Sequence, residues 1–199
     1  MKLILATQNK NKVIELKRLI TEYPQYEVLS LSDLNIMDDI EETGTTFASN
    51  AQLKAQHIYN LTGYACLADD SGIEIEALNN EPGIYSARYL GEHTSYEIKN
   101  RSILDRLINQ TNRNARFVSV VCLILSDNEI VTFEGSMPGS IGFEPKGVNG
   151  FGYDPIFIPN GYEISYAQMA IDTKNQLSHR GQALRKAVEY LEKRNNNEK

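Results

Sequence analysis

Ala65-Cys66-Leu67-Ala68-Asp69-Asp70-Ser71-Gly72 is the most informative stretch of the chain. Small and apolar residues without a turn former lead into two adjacent carboxylates, and this pattern predicts a buried strand that ends at a functional site. Ser71 and Gly72 predict a sharp turn directly after the strand.

The two carboxylates have two possible roles. Side chains alternate between the faces of a strand, so Asp69 and Asp70 are expected to point in opposite directions if the strand continues through them. One carboxylate then serves a site while the other braces the turn. Alternatively, both accept hydrogen bonds from backbone N–H groups of the turn, as aspartate commonly does. These residues alone favour neither interpretation.

Length and composition predict a globular protein with a substantial core. The chain has 199 residues, of which 41% are hydrophobic and 23% charged, as in an average soluble domain. Such a chain buries roughly 70% of its unfolded surface. We therefore predict a single domain over residues 1–194 and a flexible tail over residues 195–199.

Charge and apolar patterning exclude two classes of partner. The net charge of −6 argues against a broad nucleic-acid-binding surface, since phosphate binding needs clustered lysine and arginine. No uncharged apolar run approaches the ~20 residues that cross a bilayer, and the apolar segment 1–6 is too short for a signal peptide. We therefore expect no nucleic acid and no membrane among the partners, and a cytoplasmic location.

Cys66 and Cys122 each lie in an apolar run. Two cysteines without close spacing form neither a zinc site nor a disulfide framework, so both are predicted to be free, buried thiols.

A candidate anion-binding segment follows the predicted strand over residues 2–6. Its sequence Thr7-Gln8-Asn9-Lys10-Asn11-Lys12 supplies hydroxyl, amide and ammonium donors before a predicted helix that reaches residue 20. Backbone N–H groups and the helix dipole favour an anion at such a terminus, whereas lysines are unfavourable there without a negative partner. A solvated loop is the alternative that the local pattern leaves open.

An acidic segment, Asp38-Asp39-Ile40-Glu41-Glu42, lies between a predicted strand over residues 26–31 and a predicted helix over about residues 47–61. Its carboxylates are expected to cap a helix or to coordinate a cation. Lys54 on the helix is expected to extend toward these carboxylates or toward a ligand. Solvated surface is the alternative for both features.

The middle of the chain predicts a mixed sheet. Residues 72–78 alternate apolar and polar side chains, which is typical of a half-buried strand. The apolar segment 116–125 and the alternating segment 129–135 are joined by a short polar turn, and this hairpin adds antiparallel strands. Residues 94–97 have the spacing of a capping box before a helix with apolar residues from 103 to 108.

Five of the chain's 13 glycines lie in the segment 139–154. This density indicates close backbone approach or unusual dihedral angles. The segment contains Gly150-Phe151-Gly152, but Pro155 stands where a dinucleotide fingerprint needs its third glycine, and no helix is predicted after it. We therefore reject a Rossmann fold.

The C-terminal helix begins with two further candidate site residues. Ser178 is a favourable N-cap, so His179 and Arg180 lie in the first helical turn, where cations are unfavourable for the helix dipole. An anion or another acceptor would explain both side chains. The alternative is a surface pair.

Together these stretches resemble the inosine triphosphate pyrophosphatase family. The resemblance spans nearly the whole chain in six ordered motifs: Ala6–Lys12 with Glu15, Glu41–Gly44, Ala68–Gly72, Pro82–Arg88, Asn149–Pro155 and Ser178–Arg180. Six motifs in order are far more specific than any one of them. Gln8 departs from the pattern, because many relatives have a small residue there, and a modest effect on phosphate approach is expected.

The resemblance implies an enzyme that cuts non-standard purine nucleoside triphosphates between the α and β phosphates, releasing the monophosphate and pyrophosphate. This activity would remove ITP, dITP and XTP from the nucleotide pool and prevent their incorporation into DNA and RNA. The implied cofactor is Mg²⁺, for which Glu42 and Asp70 are suitable oxygen ligands, with Glu41 as the alternative to Glu42. Asp70 is also the implied base that takes a proton from the attacking water.

The resemblance also implies a nucleotide-binding set. Lys12, Lys54 and Lys174 would hold the triphosphate, and Phe151 would stack on the purine. His179 and Arg180 would donate hydrogen bonds to the oxygen at purine position 6, which adenine lacks. Guanine has the same oxygen, and its exclusion stays unexplained. The full predicted set is Thr7, Gln8, Asn9, Lys10, Asn11, Lys12, Lys54, Ser71, Arg88, Phe151, Gly152, Tyr153, Asp154, Lys174, His179 and Arg180.

We therefore predict an α/β fold with a mixed, twisted central sheet flanked by helices, and a nucleotide cleft between a larger and a smaller lobe. The resemblance further implies a homodimer. One alternative is the related septum-inhibitor-like nucleotide pyrophosphatases, against which the Ser-His-Arg and Phe-Gly-Tyr-Asp motifs argue. The other is a nucleotide-binding protein without catalytic activity, against which the retained carboxylates argue.

Overall fold

The computed structural model describes residues 1–20, 23–38 and 40–197, with side chains described up to residue 196. The chain divides into two compact units. The first unit consists of Met1–Asp70, Ser119–Gly135 and Arg180–Lys199, and the second of Ser71–Val118 and Ser136–His179. The chain therefore passes from one unit to the other directly after Asp70 and again directly before Arg180.

Seven strands of the described residues form one sheet in the order β2-β1-β3-β5-β6-β7, with β4 paired to β3. The strands are β1 (Lys2–Leu5), β2 (Glu27–Ser30), β3 (Ala65–Ile75), β4 (Glu81–Pro82), β5 (Asn114–Ser126), β6 (Glu129–Ile141) and β7 (Phe157–Pro159). Strand β1 is parallel to β2 and β3, whereas β4 is antiparallel to β3 and β7 to β6. The predicted mixed sheet is confirmed.

The α-helices are α1 (Lys10–Ile20), α2 (Phe47–Thr62), α3 (Tyr96–Arg106), α4 (Ile171–Leu177) and α5 (His179–Asn197). Helix α2 begins with a capping box, in which Thr46 and Ser49 exchange side-chain and backbone hydrogen bonds. Within the described residues, no helix combines the length and apolar character needed to cross a membrane.

The core of the first unit has two faces, as strand periodicity requires. Leu3, Leu5 and Leu67 pack in one cluster with apolar residues of α1 and α5. Ile4 and Cys66 belong to a separate cluster that includes the apolar stripe of α2. Helices therefore cover both faces of this part of the sheet, which confirms the predicted α/β class.

Both cysteines are free and buried, as predicted. Burial raises the pKa of Cys66 and of Cys122 to about 12. Both therefore stay protonated at neutral pH and serve as small apolar core residues.

The core of the second unit is aromatic. It joins Ile73 of β3 and Ile103 of α3 to a cluster around Phe117. The Phe117 ring lies 4.7 Å from Phe157 in an edge-on arrangement and 5.9 Å from Tyr166 in a stacked one.

The predicted turn at Ser71-Gly72 is wrong, because β3 continues from Ala65 to Ile75. Gly72 serves a close approach instead. A Cβ atom at this position would lie 2.2 Å from the carbonyl oxygen of Gly83 and 2.5 Å from Oγ of Ser86. The glycine lets the segment that starts at Gly83 lie directly against the strand.

The start of α3 also differs from the prediction. Its N-cap is Ser95, whose side chain accepts from the backbone N–H of Ile98, while Thr94 Oγ1 donates to the carbonyl of Leu90 at 2.8 Å. The helix ends at Arg106, and Ile108, predicted on its apolar face, is 77% exposed.

The C-terminal helix is longer than predicted. Helix α5 extends to Asn197, so residues 195–197 are helical rather than part of a tail. Residues 198 and 199 lie outside the described residues, as does Asp39 of the acidic segment.

Replacing Gly72 with alanine is expected to lower the free energy of unfolding by about 1–3 kcal/mol, the usual cost of overpacking, because the new methyl group would overlap the backbone of Gly83. Urea denaturation measures this loss. Gly142→Ala is the matched control, since the nearest atom to a Cβ there is Ile158 Cδ1 at 3.4 Å. Equal losses in both variants would contradict the close-approach explanation.

Candidate active site

Asp69 lies fully buried on β3, inside the first unit. Its Oδ2 atom is 3.0 Å from Nζ of Lys12 on α1 and accepts a hydrogen bond of 3.1 Å from Nε of Arg180 on α5. Arg180 also donates through Nη1 to the carboxylate of Glu15. We call these four residues the Asp69 cluster. It joins two helices to the central strand of this unit through charged groups.

The charges of the Asp69 cluster stabilise one another. Burial would raise the pKa of Asp69, but Lys12 and Arg180 hold it well below its usual range. Burial also acts to lower the pKa of Arg180, and Asp69 and Glu15 outweigh that effect and raise it. Asp69 therefore stays ionised at physiological pH and is a structural anion rather than a proton-transfer group.

The sequence indicated that Lys12 and Arg180 need a negative partner near their helix N-termini, and the structure supplies one within the chain. Asp69 meets both cations. For Lys12 the compensation is incomplete, because burial lowers its pKa more than Asp69 raises it. A further anion near Lys12 would thus be stabilised.

A second group of residues surrounds Asp70. We call Glu42, Asn50, Lys54 and Asp70 the Asp70 cluster. Nζ of Lys54 lies 2.6 Å from Oε1 of Glu42 and 3.5 Å from Oδ1 of Asp70. Asn50, one turn before Lys54 on α2, donates through Nδ2 to Oδ2 of Asp70 at 3.2 Å. The Oδ1 atom of Asn50 accepts from the backbone N–H of Gly44, and so fixes the chain just after Glu42.

The pKa of Asp70 is shifted opposite to that of Asp69. Burial raises the pKa of Asp70, and Lys54 and Lys12 do not fully offset this effect. For Lys54, burial acts to lower the pKa, but Asp70 and Glu42 outweigh it and the pKa is raised. Neighbouring titratable groups whose environments push their pKa values apart are candidates for different acid–base roles.

The Asp70 cluster fits the implied Mg²⁺. Magnesium is bound by one or two carboxylates and retains several waters, and Glu42 and Asp70 both turn carboxylate oxygens toward the same ammonium group. Glu41 is exposed, so Glu42 is the acidic residue that reaches this cluster. Among the described residues, no group of three or more His, Cys, Asp or Glu side chains is arranged to hold a metal ion by itself. The raised pKa of Asp70 is the shift that a bound cation would relieve.

The predicted phosphate loop caps α1. Asn9 Oδ1 accepts from the backbone N–H groups of Asn11 at 3.0 Å and Lys12 at 3.2 Å, while Thr7 Oγ1 accepts from the N–H of Asn9. Gln8, the residue that departs from the family pattern, donates through Nε2 to the carbonyl of Asp38 at 2.6 Å. It therefore ties the loop to the acidic segment. Lys10 and Asn11 are exposed and outside both clusters.

A buried ion pair of the second unit, Lys174–Asp154, contacts Phe151. Nζ of Lys174, on α4, lies 2.6 Å from Oδ2 of Asp154, and that oxygen also accepts from the backbone N–H of Phe151 at 2.8 Å. The ammonium group lies 5.2 Å from the centre of the Phe151 ring. Gly150 has a φ of +73°, and a Cβ there would lie 2.1 Å from Asp154 Oδ2, so only glycine fits.

The remaining predicted residues of the second unit are more widely distributed. The His179 ring is buried and stacked on Phe117, with centres 4.7 Å apart and planes 7° from parallel. The Tyr153 hydroxyl is also buried and donates to the carbonyl of Ser86 at 2.8 Å, so this side chain links two segments of the second unit. The Arg88 guanidinium lies 5.0 Å from the centre of the Tyr85 ring. Ser71 is half-buried on β3, and the carbonyl of Gly152 accepts from Asn100 Nδ2.

Sequence reasoning missed two side chains of these clusters. Asn50 follows no motif, although its spacing of four residues from Lys54 places both on one face of a helix. Glu15 was named only as part of a family motif. Its ion pair with Arg180 could not be predicted from local sequence, because the two residues meet only in the tertiary structure.

Comparison with known proteins identifies the class. The sequence model of the Ham1 family matches residues 3–190. A dITP/XTP pyrophosphatase of Christiangramia forsetii is 47% identical over 193 residues, which cover 97% of this chain and 100% of that protein. A dITP/XTP pyrophosphatase of an Exiguobacterium species is 48% identical over 186 residues, 94% of each chain.

Solved structures agree with the sequence comparison. The structure of the Staphylococcus aureus Ham1 protein superposes with a TM-score of 0.88 at 40% identity and covers 98% of this chain and 100% of that chain. A HAM1 protein from Coxiella burnetii gives the same TM-score at 36% identity. The chain belongs to the Ham1 family, and the resemblance predicted from six motifs is confirmed.

Replacing Asp69 with asparagine is expected to lower the free energy of unfolding at neutral pH by about 3–5 kcal/mol, because it leaves two buried cations without their shared anion. Since the pKa of Asp69 is held below its ordinary value, its contribution is complete above about pH 4 and is lost as the pH falls further. The difference between wild type and variant should therefore shrink in acid. Urea denaturation at several pH values measures it.

The control for this experiment is Asp105→Asn, which removes a carboxylate with 61% side-chain exposure that pairs with Arg101 on α3. This variant should unfold almost like the wild type. A stability loss at Asp69 no larger than that at Asp105 would contradict a structural role for the Asp69 cluster.

Proposed function

We propose that this protein hydrolyses non-canonical purine nucleoside triphosphates, namely ITP, dITP and XTP, to the monophosphate and pyrophosphate. The observation that carries the proposal is the placement of two adjacent carboxylates beside two lysines: Lys12 Nζ lies 3.0 Å from Asp69 Oδ2, and Lys54 Nζ lies 3.5 Å from Asp70 Oδ1. The names of the relatives, dITP/XTP pyrophosphatase, support the same activity. This activity would clear such nucleotides before a polymerase incorporates them.

Asp70 is the proposed general base. A carboxylate held in a fixed position can take a proton from a water molecule within hydrogen-bond reach. The hydrogen bond from Asn50 and the ion pair with Lys54 fix the direction of its two oxygens. Asp70 would therefore take a proton from the water that attacks the α-phosphorus, and pyrophosphate would leave.

Lysines are proposed to bind the triphosphate. Lys12 is a half-buried cation whose charge Asp69 compensates only in part, and Lys54 is held beside the proposed base. Positive groups that are fixed before the reaction stabilise the charge that develops on the phosphate oxygens. The Thr7–Lys12 loop and Ser71 would add hydrogen bonds.

Mg²⁺ is the proposed cofactor, with Glu42 and Asp70 as the residues that would hold it. When bound, the ion would neutralise phosphate charge and polarise the anhydride. The two carboxylates are oxygen donors of the type that magnesium selects. A homodimer, a cytoplasmic location and a nucleotide cleft between two lobes stay predictions of the sequence.

The purine is proposed to stack on Phe151, whose backbone N–H and ring are both held by the Asp154–Lys174 ion pair. Donors from His179 and Arg180 would recognise the oxygen at position 6. Both side chains are rigidly oriented, His179 by stacking on Phe117 and Arg180 by its two carboxylates. A rigid donor left unpaired by adenine would disfavour ATP.

The proposal is tested by measuring pyrophosphate release with Mg²⁺ from the triphosphates of inosine, xanthosine, guanosine, adenosine and cytidine, with the nucleotide product identified. The first two should be converted to monophosphates well ahead of the rest. Release of inorganic phosphate and a diphosphate would contradict the mechanism. Binding without hydrolysis would favour the alternative of a catalytically inactive nucleotide-binding protein.

The same assay tests the base. Asp70→Asn should lower turnover roughly 10²-fold or more while nucleotide binding persists. Asp105→Asn, remote in sequence from every predicted motif, should have wild-type turnover. Unchanged turnover in the Asp70 variant would exclude Asp70 as the base.

A further inference from the structure

Lys99 of α3 is a buried cation with an unusual environment. Its side chain is 1% exposed, and Nζ donates to the carbonyl of Ala87 at 2.5 Å and lies 4.9 Å from the centre of the Tyr96 ring. Within residues 1–20, 23–38 and 40–197, no carboxylate lies within 4.0 Å of this ammonium group. Burial consequently lowers the pKa of Lys99.

The next residue, Asn100, reaches a different segment. It is 4% exposed and donates through Nδ2 to the carbonyl of Gly152 at 3.1 Å. Tyr153 completes the connection, because its hydroxyl donates to the carbonyl of Ser86 and its ring meets that of Tyr96 edge-on, with centres 5.3 Å apart.

The acceptors in this network are all main-chain carbonyls. The network therefore fixes the backbone of two segments, 86–88 and 151–154, that are more than 60 residues apart. The first carries Arg88 at its end, and the second carries Phe151 and Asp154, all of which were predicted to bind substrate. Helix α3 itself lies outside all six motifs, and no site role was predicted for it.

Stability alone does not account for an ammonium group at this position. A buried charge without an ion-pair partner costs free energy, and an apolar side chain of similar length would fill the same volume without that cost. A strong donor is useful here because it holds one particular carbonyl in one place.

We propose that Lys99 and Asn100 are positioning residues, which hold the Arg88 segment and the Phe151–Asp154 segment in the geometry that binds the nucleotide. The inference rests on the proposed function and assigns a further role within the same site. Neither residue touches the reacting atoms in this proposal. Each acts through the segment whose carbonyl it holds.

The test is a double-mutant cycle with Lys99→Met and Arg88→Ala, in which kcat and KM are measured for the nucleotide that the wild type prefers. Lys99→Met should lower kcat/KM about tenfold, the loss typical of a hydrogen bond from a charged donor, chiefly by raising KM. In the Arg88→Ala background the same change should cost less than about twofold, because the segment it positions has lost its functional side chain.

Thermal unfolding of the same variants separates positioning from stability. The Tm of Lys99→Met should change little, since the lost hydrogen bond to Ala87 is offset by the removal of a buried charge that has no ion-pair partner. Arg101→Met, on the same helix with 76% side-chain exposure, is the matched control and should leave both kcat/KM and Tm unchanged. Asn100→Ala combined with Phe151→Ala forms a second cycle, which applies even if Lys99→Met does not fold.

Independent, additive losses in both cycles would overturn the positioning role, as would a loss of activity that simply follows a lower Tm. These outcomes leave the proposed function intact, since the wild type would still hydrolyse its nucleotides. A wild type that hydrolyses none of them would contradict the proposed function itself, and the positioning role with it.

Discussion

The buried carboxylate of Asp69 is the constraint on which the first unit depends. It holds a lysine of α1 and an arginine of α5 against β3, and the arginine is held in addition by Glu15. An ion left unpaired in such an environment costs several kcal/mol, so any displacement of either helix from the strand is penalised. The loop that precedes Lys12 and the start of α5 are thereby fixed relative to the neighbouring Asp70.

The alternation of side chains along β3 explains how two adjacent aspartates have different chemistry. Asp69 faces two cations and is stabilised as an anion, whereas Asp70 faces one ammonium group, an amide and Glu42, and its pKa is raised. A single dipeptide therefore supplies a buried anion on one face and the proposed proton acceptor on the other. The proposed catalysis uses that asymmetry.

Much of this arrangement follows from local sequence. Most of the strands and helices and the unfavourable cations at two helix N-termini were predicted, since periodicity and dipole arguments need only neighbouring residues. The short strands β4 and β7 and helix α4 were not predicted. Asp69 as their shared partner was not predicted, because 57 residues separate it from Lys12 and 111 from Arg180. The turn predicted at Gly72 was wrong. A glycine can permit either a turn or the close approach of another segment, here Gly83, and the sequence does not distinguish the two. Lys99 was missed because a buried lysine on a helix resembles an exposed one in sequence.

In the proposed reaction, a water molecule activated by Asp70 attacks the α-phosphorus. The most direct measurement is hydrolysis of inosine triphosphate in water enriched in ¹⁸O, followed by mass analysis of both products. Attack on the α-phosphorus would place one ¹⁸O atom in the nucleoside monophosphate and none in the pyrophosphate. Recovery of the label in pyrophosphate would place the attack on the β-phosphorus and contradict the proposed reaction.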